Sequence, residues 1–148
     1  MTELRPATTA DLEAVLALHG AFFAEDGYEL REAESRANLG RLLDDPDLGR
    51  LWVMDDGGTV VGYLLLAFGF SLEFRGRDAF VDELYVTPDH RGRGLGKRAI
   101  ELAAEACRGL GVRALHLEVE RDKERAQEIY RRAGFVDHGR YLMTKWIE

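Results

Sequence analysis

Residues 80–98 read FVDELYVTPDHRGRGLGKR, and the order of residue types in this stretch decides how the chain is organised. Residues 80–86 are rich in β-branched and aromatic side chains and read as a strand. Thr87-Pro88-Asp89-His90 breaks it, and glycines follow at 92, 94 and 96. From there Leu95, Ala99, Leu102, Ala103, Ala106 and Leu110 share one helical face, until Gly111 ends the pattern. The order is therefore strand, glycine loop, helix. Without side chains at 92, 94 and 96, successive N–H groups can turn toward one point at a helix N-terminus, where unpaired donors and the helix dipole favour an anion. Arg91, Arg93 and Lys97 add positive charge beside that point, and a ligand bearing phosphate is the expected occupant.

Spacing narrows the choice of phosphate loop. A Walker loop needs glycine where Arg91 stands and serine or threonine where Arg98 stands. A dinucleotide fingerprint needs its third glycine at position 97, which is lysine. Neither pattern fits. What remains is Arg91-x-x-Gly94-x-Gly96.

Working outward, residues 114–120 read as a strand, so strand, helix and strand make a right-handed parallel unit. A helix over about 122–133 follows, closed by Gly134, with Ala126, Ile129, Tyr130 and Ala133 on its inward face. The tail reads as a closing hairpin, 135–136 and 141–147 around Asp137-His138-Gly139-Arg140. Upstream, strands at 51–54 and 59–68 flank Asp55-Asp56-Gly57-Gly58, and a turn at 75–78 leads into 79–86, which predicts an antiparallel meander. Residues 4–7 form a short first strand. Thr8 or Thr9 caps a helix whose stripe is Leu12, Val15, Leu16, Phe22 and Phe23. His19 lies on that stripe and reads as a packed, hydrogen-bonded histidine. A weaker helical pattern over 31–43 is expected to form a lid or substrate wall.

The 148 residues, 46% of them apolar, suit one domain spanning 1–148. The nearly apolar run 60–70 is well short of the ~20 residues that cross a bilayer. The first residues lack the pattern of a secretory signal, and Cys107 is the only cysteine. A cytoplasmic location without disulfides or a metal site is the expectation, and Cys107 reads as a small core residue. Lys and Arg total 20 against 27 Asp and Glu, for a net charge of −7. That balance disfavours nucleic acid and favours a cationic partner.

The segments "FVDELYVTPDHRGRGLGKR", "ALHLEVE" and "RAQEIYRRAGF", with "LRPATTADLEAVLAL" near the start, resemble the GCN5-related N-acetyltransferase (GNAT) family in type and order. The resemblance implies an α/β fold with a mixed, mostly antiparallel sheet of about six or seven strands. A central parallel pair would splay apart, flanked by about four helices. It implies acetyl-CoA as cosubstrate, with the backbone of Leu84, Tyr85 and Val86 pairing with the pantetheine arm. The loop Arg91, Gly92, Arg93, Gly94, Leu95, Gly96 and Lys97 would hold the pyrophosphate, and Ala126 would lie along the same ligand. Lys123 stands where the family often has asparagine, so its contact to that arm is open, although lysine can reach a phosphate.

The implied reaction passes the acetyl group directly to a primary amine of a small molecule or peptide. The alternative is an acetyl-CoA-binding regulatory module without turnover. A homodimer is compatible with either, and no membrane partner is expected. A free alkyl ammonium has a pKa near ~10.4, so only about one molecule in a few thousand is nucleophilic at neutral pH. A carboxylate must take a proton from it. Glu118 matches the acidic position of the "LEV" strand in ribosomal-protein acetyltransferases of the family, and Glu83 immediately precedes the expected acetyl cradle; they rank nearly level. Asp82 matches an acidic position of polyamine acetyltransferases and ranks third. Asp82 and Glu120 are expected to help bind the amine. Tyr130 matches the family tyrosine that protonates the departing thiolate.

Overall fold

Alternation of apolar and polar residues in the first half of the chain builds the meander that the sequence predicts. The computed structural model describes all 148 residues. They fall into two compact units, Met1–Leu117 and Glu118–Glu148.

In the first unit, β1 (Glu3–Pro6), β2 (Gly49–Asp56), β3 (Thr59–Ser71), β4 (Gly76–Val86) and β5 (Ala114–His116) form one sheet in the order β1-β2-β3-β4-β5. Neighbours are antiparallel except β4 and β5, which run parallel. The helices α1 (Leu12–Asp26) and α2 (Glu32–Asp44) lie between β1 and β2 in the chain, and α3 (Leu95–Gly109) connects β4 to β5. The sheet has five strands rather than six or seven. The missing ones are the expected closing hairpin, since residues 135–147 form no strand. The strand expected over 114–120 also stops early, at His116.

Each face of the sheet has its own core. On one, Val61, Leu64, Leu66 and Ala79 pack with Leu95, Ala99, Ala103 and Cys107 of α3. On the other, Leu51, Val53, Tyr63 and Tyr85 pack with Val15 and Leu16 of α1 and Leu39 of α2. The α1 stripe is thus the expected one. Its entry is fixed by Asp11, which accepts the Thr8 N–H at 2.8 Å and pairs with the Arg5 guanidinium at 2.9 Å. Arg5 holds the Asp11 carboxyl below its ordinary range.

Close backbone packing occurs between β2, β3 and β4. A Cβ added at Gly62 would lie 2.5 Å from both the Met54 sulfur and the Tyr85 carbonyl oxygen. The sulfur can swing aside, but the carbonyl belongs to the β3–β4 ladder. Gly62→Ala is therefore expected to lower stability by about 1–3 kcal/mol. Chemical denaturation would check this, and an unchanged midpoint would show that β3 and β4 can part at this register.

In the second unit, α4 (Glu124–Arg132) is the one regular element. Ala126 and Tyr130 are partly buried on it, but Ile129 is 45% exposed, so the inward face is narrower than its spacing predicts.

Candidate active site

Two irregularities in β4 shape the site. The first is a bulge: Leu65 of β3 pairs with Glu83 and Leu66 with Val81, so Asp82 is an extra residue in the β4 register. Strict alternation therefore fails across Asp82. Val81 and Leu84, three apart, both pack on the α3 side, while Tyr85 packs on the α1–α2 side. A bulge re-aims side chains in this way. The second irregularity is the end of the parallel ladder. Pairing with β5 covers Asp78, Ala79 and Phe80 only, and β4 continues to Val86 without a strand on that side. The parallel pair is thus short, and β4 outruns it toward the glycine loop.

Glu83 faces α1 and α2. Its carboxylate oxygen Oε1 accepts the Tyr63 hydroxyl at 2.6 Å and meets His19 Nδ1 at 2.8 Å. The Glu83 side chain is 15% exposed, which makes it largely dehydrated yet within reach of a substrate. Burial, followed by the charge of Glu83, pushes the Tyr63 phenol far above its ordinary pKa; Asp82 adds to the same effect. Tyr63 consequently remains a hydrogen-bond donor throughout the working pH range.

Beside this carboxylate stands a second group. Tyr85 donates its hydroxyl to Glu25 Oε2 at 3.1 Å, and its ring lies 6.3 Å from that of Tyr63 and 5.6 Å from that of Phe22. Glu25, at the end of α1, also holds Arg91 through contacts of 2.8 and 2.9 Å. Arg91 donates from Nε to the Val86 carbonyl at 2.8 Å and covers the Tyr85 ring at 5.4 Å. The hydrogen bond that Arg91 donates to Glu25 raises the Arg91 pKa further. The charge that the sequence assigns to the loop at Arg91 is thus partly balanced by Glu25, and the side chain ties α1 to the loop.

The loop itself has the geometry its glycines allow. Gly92 and Gly94 both have φ near +78°, with no atom within 4 Å of the place a Cβ would occupy. Gly94 is the N-cap of α3, and the first-turn N–H groups of Leu95, Gly96 and Lys97 have no acceptor inside the helix. Arg93 donates to the Asp89 carbonyl at 3.1 Å. Left-handed glycines, open space and unpaired donors at a helix start fit a pyrophosphate. A groove lined by Met1, Thr2, Glu3, Leu4, Arg98 and Leu102 lies on the α3 side, away from the Glu83 carboxylate. It brings together no pair of groups suited to proton transfer, and we assign it no part in the chemistry.

Several expected site residues fall in the second unit. Glu118 and Glu120 lie beyond the end of β5 in irregular chain rather than on a strand. Lys123 is the N-cap of α4, its carbonyl accepting the Gln127 N–H at 3.1 Å. Burial raises the Tyr130 phenol pKa and Lys123 partly offsets this, so the phenol is protonated at neutral pH. Its ring packs edge-on to Phe135 at 6.0 Å.

Tyr63 and Glu25 were not legible as site residues. Tyr63 sits in an ordinary apolar strand pattern, and Glu25 is one acid among several at a helix end. Only the Tyr63 to Tyr85 register brings their partners together.

The model of the acetyltransferase (GNAT) family matches residues 12–135. The chain belongs to this family. Its members among characterised proteins include a thialysine N-ε-acetyltransferase of Bos taurus, 36% identical over 81 residues, which are 55% of this chain and 47% of that protein. A mycothiol acetyltransferase of Beutenbergia cavernae is 34% identical over 87% of this chain and 42% of its own. The GNAT chain described here thus spans about half or less of the length of these two relatives. Among solved structures, an integron cassette protein from the mobile metagenome of Cole Harbour salt marsh superposes with a TM-score of 0.86 at 36% identity, covering 98% of this chain and 90% of that one. A predicted acetyltransferase of Clostridium acetobutylicum, solved with acetyl-CoA, shares the fold at a TM-score of 0.83 and 16% identity, covering 98% and 96%.

Proposed function

We propose that this GNAT chain transfers the acetyl group of acetyl-CoA to a primary amine that carries positive charge. The observation that carries the reading is Glu83, a dehydrated carboxylate on the same strand that runs into the glycine loop. Family membership and the solved relative holding acetyl-CoA support the donor. Gly92, Gly94 and the first turn of α3 would hold its pyrophosphate, and the free side of β4 would hold its arm. The donor supplies an activated acetyl thioester.

The chain's own residues do the rest. Glu83 accepts a proton from the ammonium, and the freed amine forms a C–N bond to the acetyl carbon as the C–S bond breaks. The departing thiolate takes a proton, for which the protonated phenol of Tyr130 is the proposed donor; the second proton shed by the acylated nitrogen restores that phenol through solvent, and Glu83 releases its proton to solvent. Products are an N-acetyl amide and the free CoA thiol. Glu118 and Asp82 remain proposed alternatives for the base, and Glu120 for amine binding.

Cationic acceptors are favoured by the carboxylate of Glu83 and by the net charge of −7. The names of the thialysine and mycothiol relatives are in keeping with small amine or amine-bearing acceptors. Thiol release measured against polyamines, lysine analogues, basic peptides and acidic amino acids is the test. Cationic amines should give the highest kcat/KM, falling as salt screens their approach. Equal rates with acidic amines, independent of salt, would refute the choice of acceptor; no turnover with any amine alongside tight acetyl-CoA binding would favour a binding module.

A further inference from the structure

Both hydrogen bonds to Glu83 fall on one oxygen, Oε1. One donor, Tyr63, is permanent. The other is His19, 64 residues away in sequence and only 8% exposed. Its second ring nitrogen, Nε2, meets Ser35 Oγ of α2 at 3.0 Å, and the ring rests against Phe23 with centroids 4.2 Å apart. With both nitrogens engaged and one face packed, the imidazole has a single orientation.

The chemistry of the partners assigns the hydrogens. An ionised carboxylate only accepts, so the His19 nitrogen facing it, Nδ1, must carry a hydrogen. In the neutral ring Nε2 is then an acceptor, and the Ser35 hydroxyl donates to it. Ser35 thus accommodates the tautomer that Glu83 requires. The outcome is a line of donors from α2 through α1 ending on Oε1, and Oε2 is left for the substrate.

We propose that His19 is a positioning residue for acetyl transfer, holding Oε1 so that Oε2 faces the acceptor ammonium and Glu83 stays ionised until it takes that proton. This rests on the proposed role of Glu83 as base. Hydrogen bonds to the charged form of a carboxylate favour ionisation, whereas burial and like charge oppose it. The groups facing Glu83 are His19 of α1, Ser35 of α2, Tyr63 of β3, and Asp82 and Tyr85 of β4. Tyr63 and Tyr85 are both held protonated by burial, so neither changes charge in the working range. Asp82, adjacent in the strand, contributes like charge. Removing the His19 bond therefore shifts the balance against ionisation.

Two substitutions separate this role from packing, because the asparagine amide nitrogen can stand near Nδ1 and that of glutamine near Nε2. His19→Asn should keep kcat within about three-fold of wild type and leave the acid limb of the pH profile of kcat/KM in place. His19→Gln and His19→Leu should lower kcat about ten-fold or more and move that limb to higher pH, with the KM for acetyl-CoA unchanged. Each variant is assayed well below its own Tm, so that loss of folded protein does not enter. Equal losses in His19→Asn and His19→Gln, or a wild-type acid limb in His19→Leu, would overturn the proposal. Glu83→Gln, run in parallel, keeps the two readings apart. If it retains full turnover, the base assignment falls and the His19 role falls with it; if it loses turnover while the His19 variants keep the wild-type profile, only the His19 role falls.

Discussion

Glu83→Gln is expected to lower kcat about a hundred-fold or more while acetyl-CoA affinity stays within about two-fold, because the amide keeps the volume and can still accept from Tyr63 but cannot take up a proton. The effect corresponds to about 2.7 kcal/mol at the transition state. The sign of the pH dependence follows from the same chemistry. A base works only when ionised, so kcat/KM should rise with pH as Glu83 loses its proton, and that rise should vanish in the variant. The remaining slope would belong to the amine itself, whose neutral fraction grows toward its own pKa. Steady-state rates over a range of pH, with acetyl-CoA binding measured separately by calorimetry, would decide the matter. A variant with wild-type turnover and an unchanged acid limb would move the base to Glu118 or Asp82.

The second large effect is expected at the loop. Gly94→Val should weaken acetyl-CoA binding by about ten-fold or more, through two causes that act together. Gly94 has φ +78°, a conformation that is a genuine outlier for a β-branched residue. It is also the N-cap of α3, so relieving the strain would turn the first N–H groups of the helix away from the pyrophosphate. The space around its missing Cβ is open, so no clash in the core opposes folding. Calorimetry on folded variant protein would check the loss, and unchanged affinity would show that the phosphates lie elsewhere. Gly96 offers a useful contrast. Its Cβ position is 4.0 Å from a Leu84 methyl carbon and its backbone is ordinary, so Gly96→Ala should be tolerated by the fold.

Much of this arrangement was legible in the sequence because it is local. The strand, glycine loop and helix over 80–110 announce themselves through a change of period and three spaced glycines, and the structure has them there. Glu83, too, nearly level with Glu118, is among the carboxylates that the sequence nominates. What could not be read was the company it keeps. His19, Ser35 and Tyr63 reach it from three other elements, and the register between β3 and β4 depends on a bulge with no signature of its own: Asp82 fits the strand pattern as well as its neighbours do. The closing hairpin failed for a different reason. Apolar residues at Val136, Tyr141, Leu142, Met143, Trp146 and Ile147 suggest strands, but every one of them is at least 72% exposed and none is paired. Alternation marks a segment that fits a sheet, and pairing partners determine whether it joins one.

Glu25 also changes the meaning of the basic loop. The sequence counts Arg91 as charge offered to a phosphate, yet its guanidinium is already occupied by a carboxylate, a carbonyl and a ring. In the structure it anchors the loop to α1.

The half-finished ladder of β4 has a consequence for solubility. A strand with unpaired donors and acceptors is a template onto which any extended polypeptide can add, the usual route to edge-to-edge association. Natural sheets discourage such addition with a bulge and with charge near the exposed row. β4 has both just past the point where its partner stops, in the exposed extra residue Asp82. The bulge and its acid therefore discourage a second strand of this acidic protein from adding to β4.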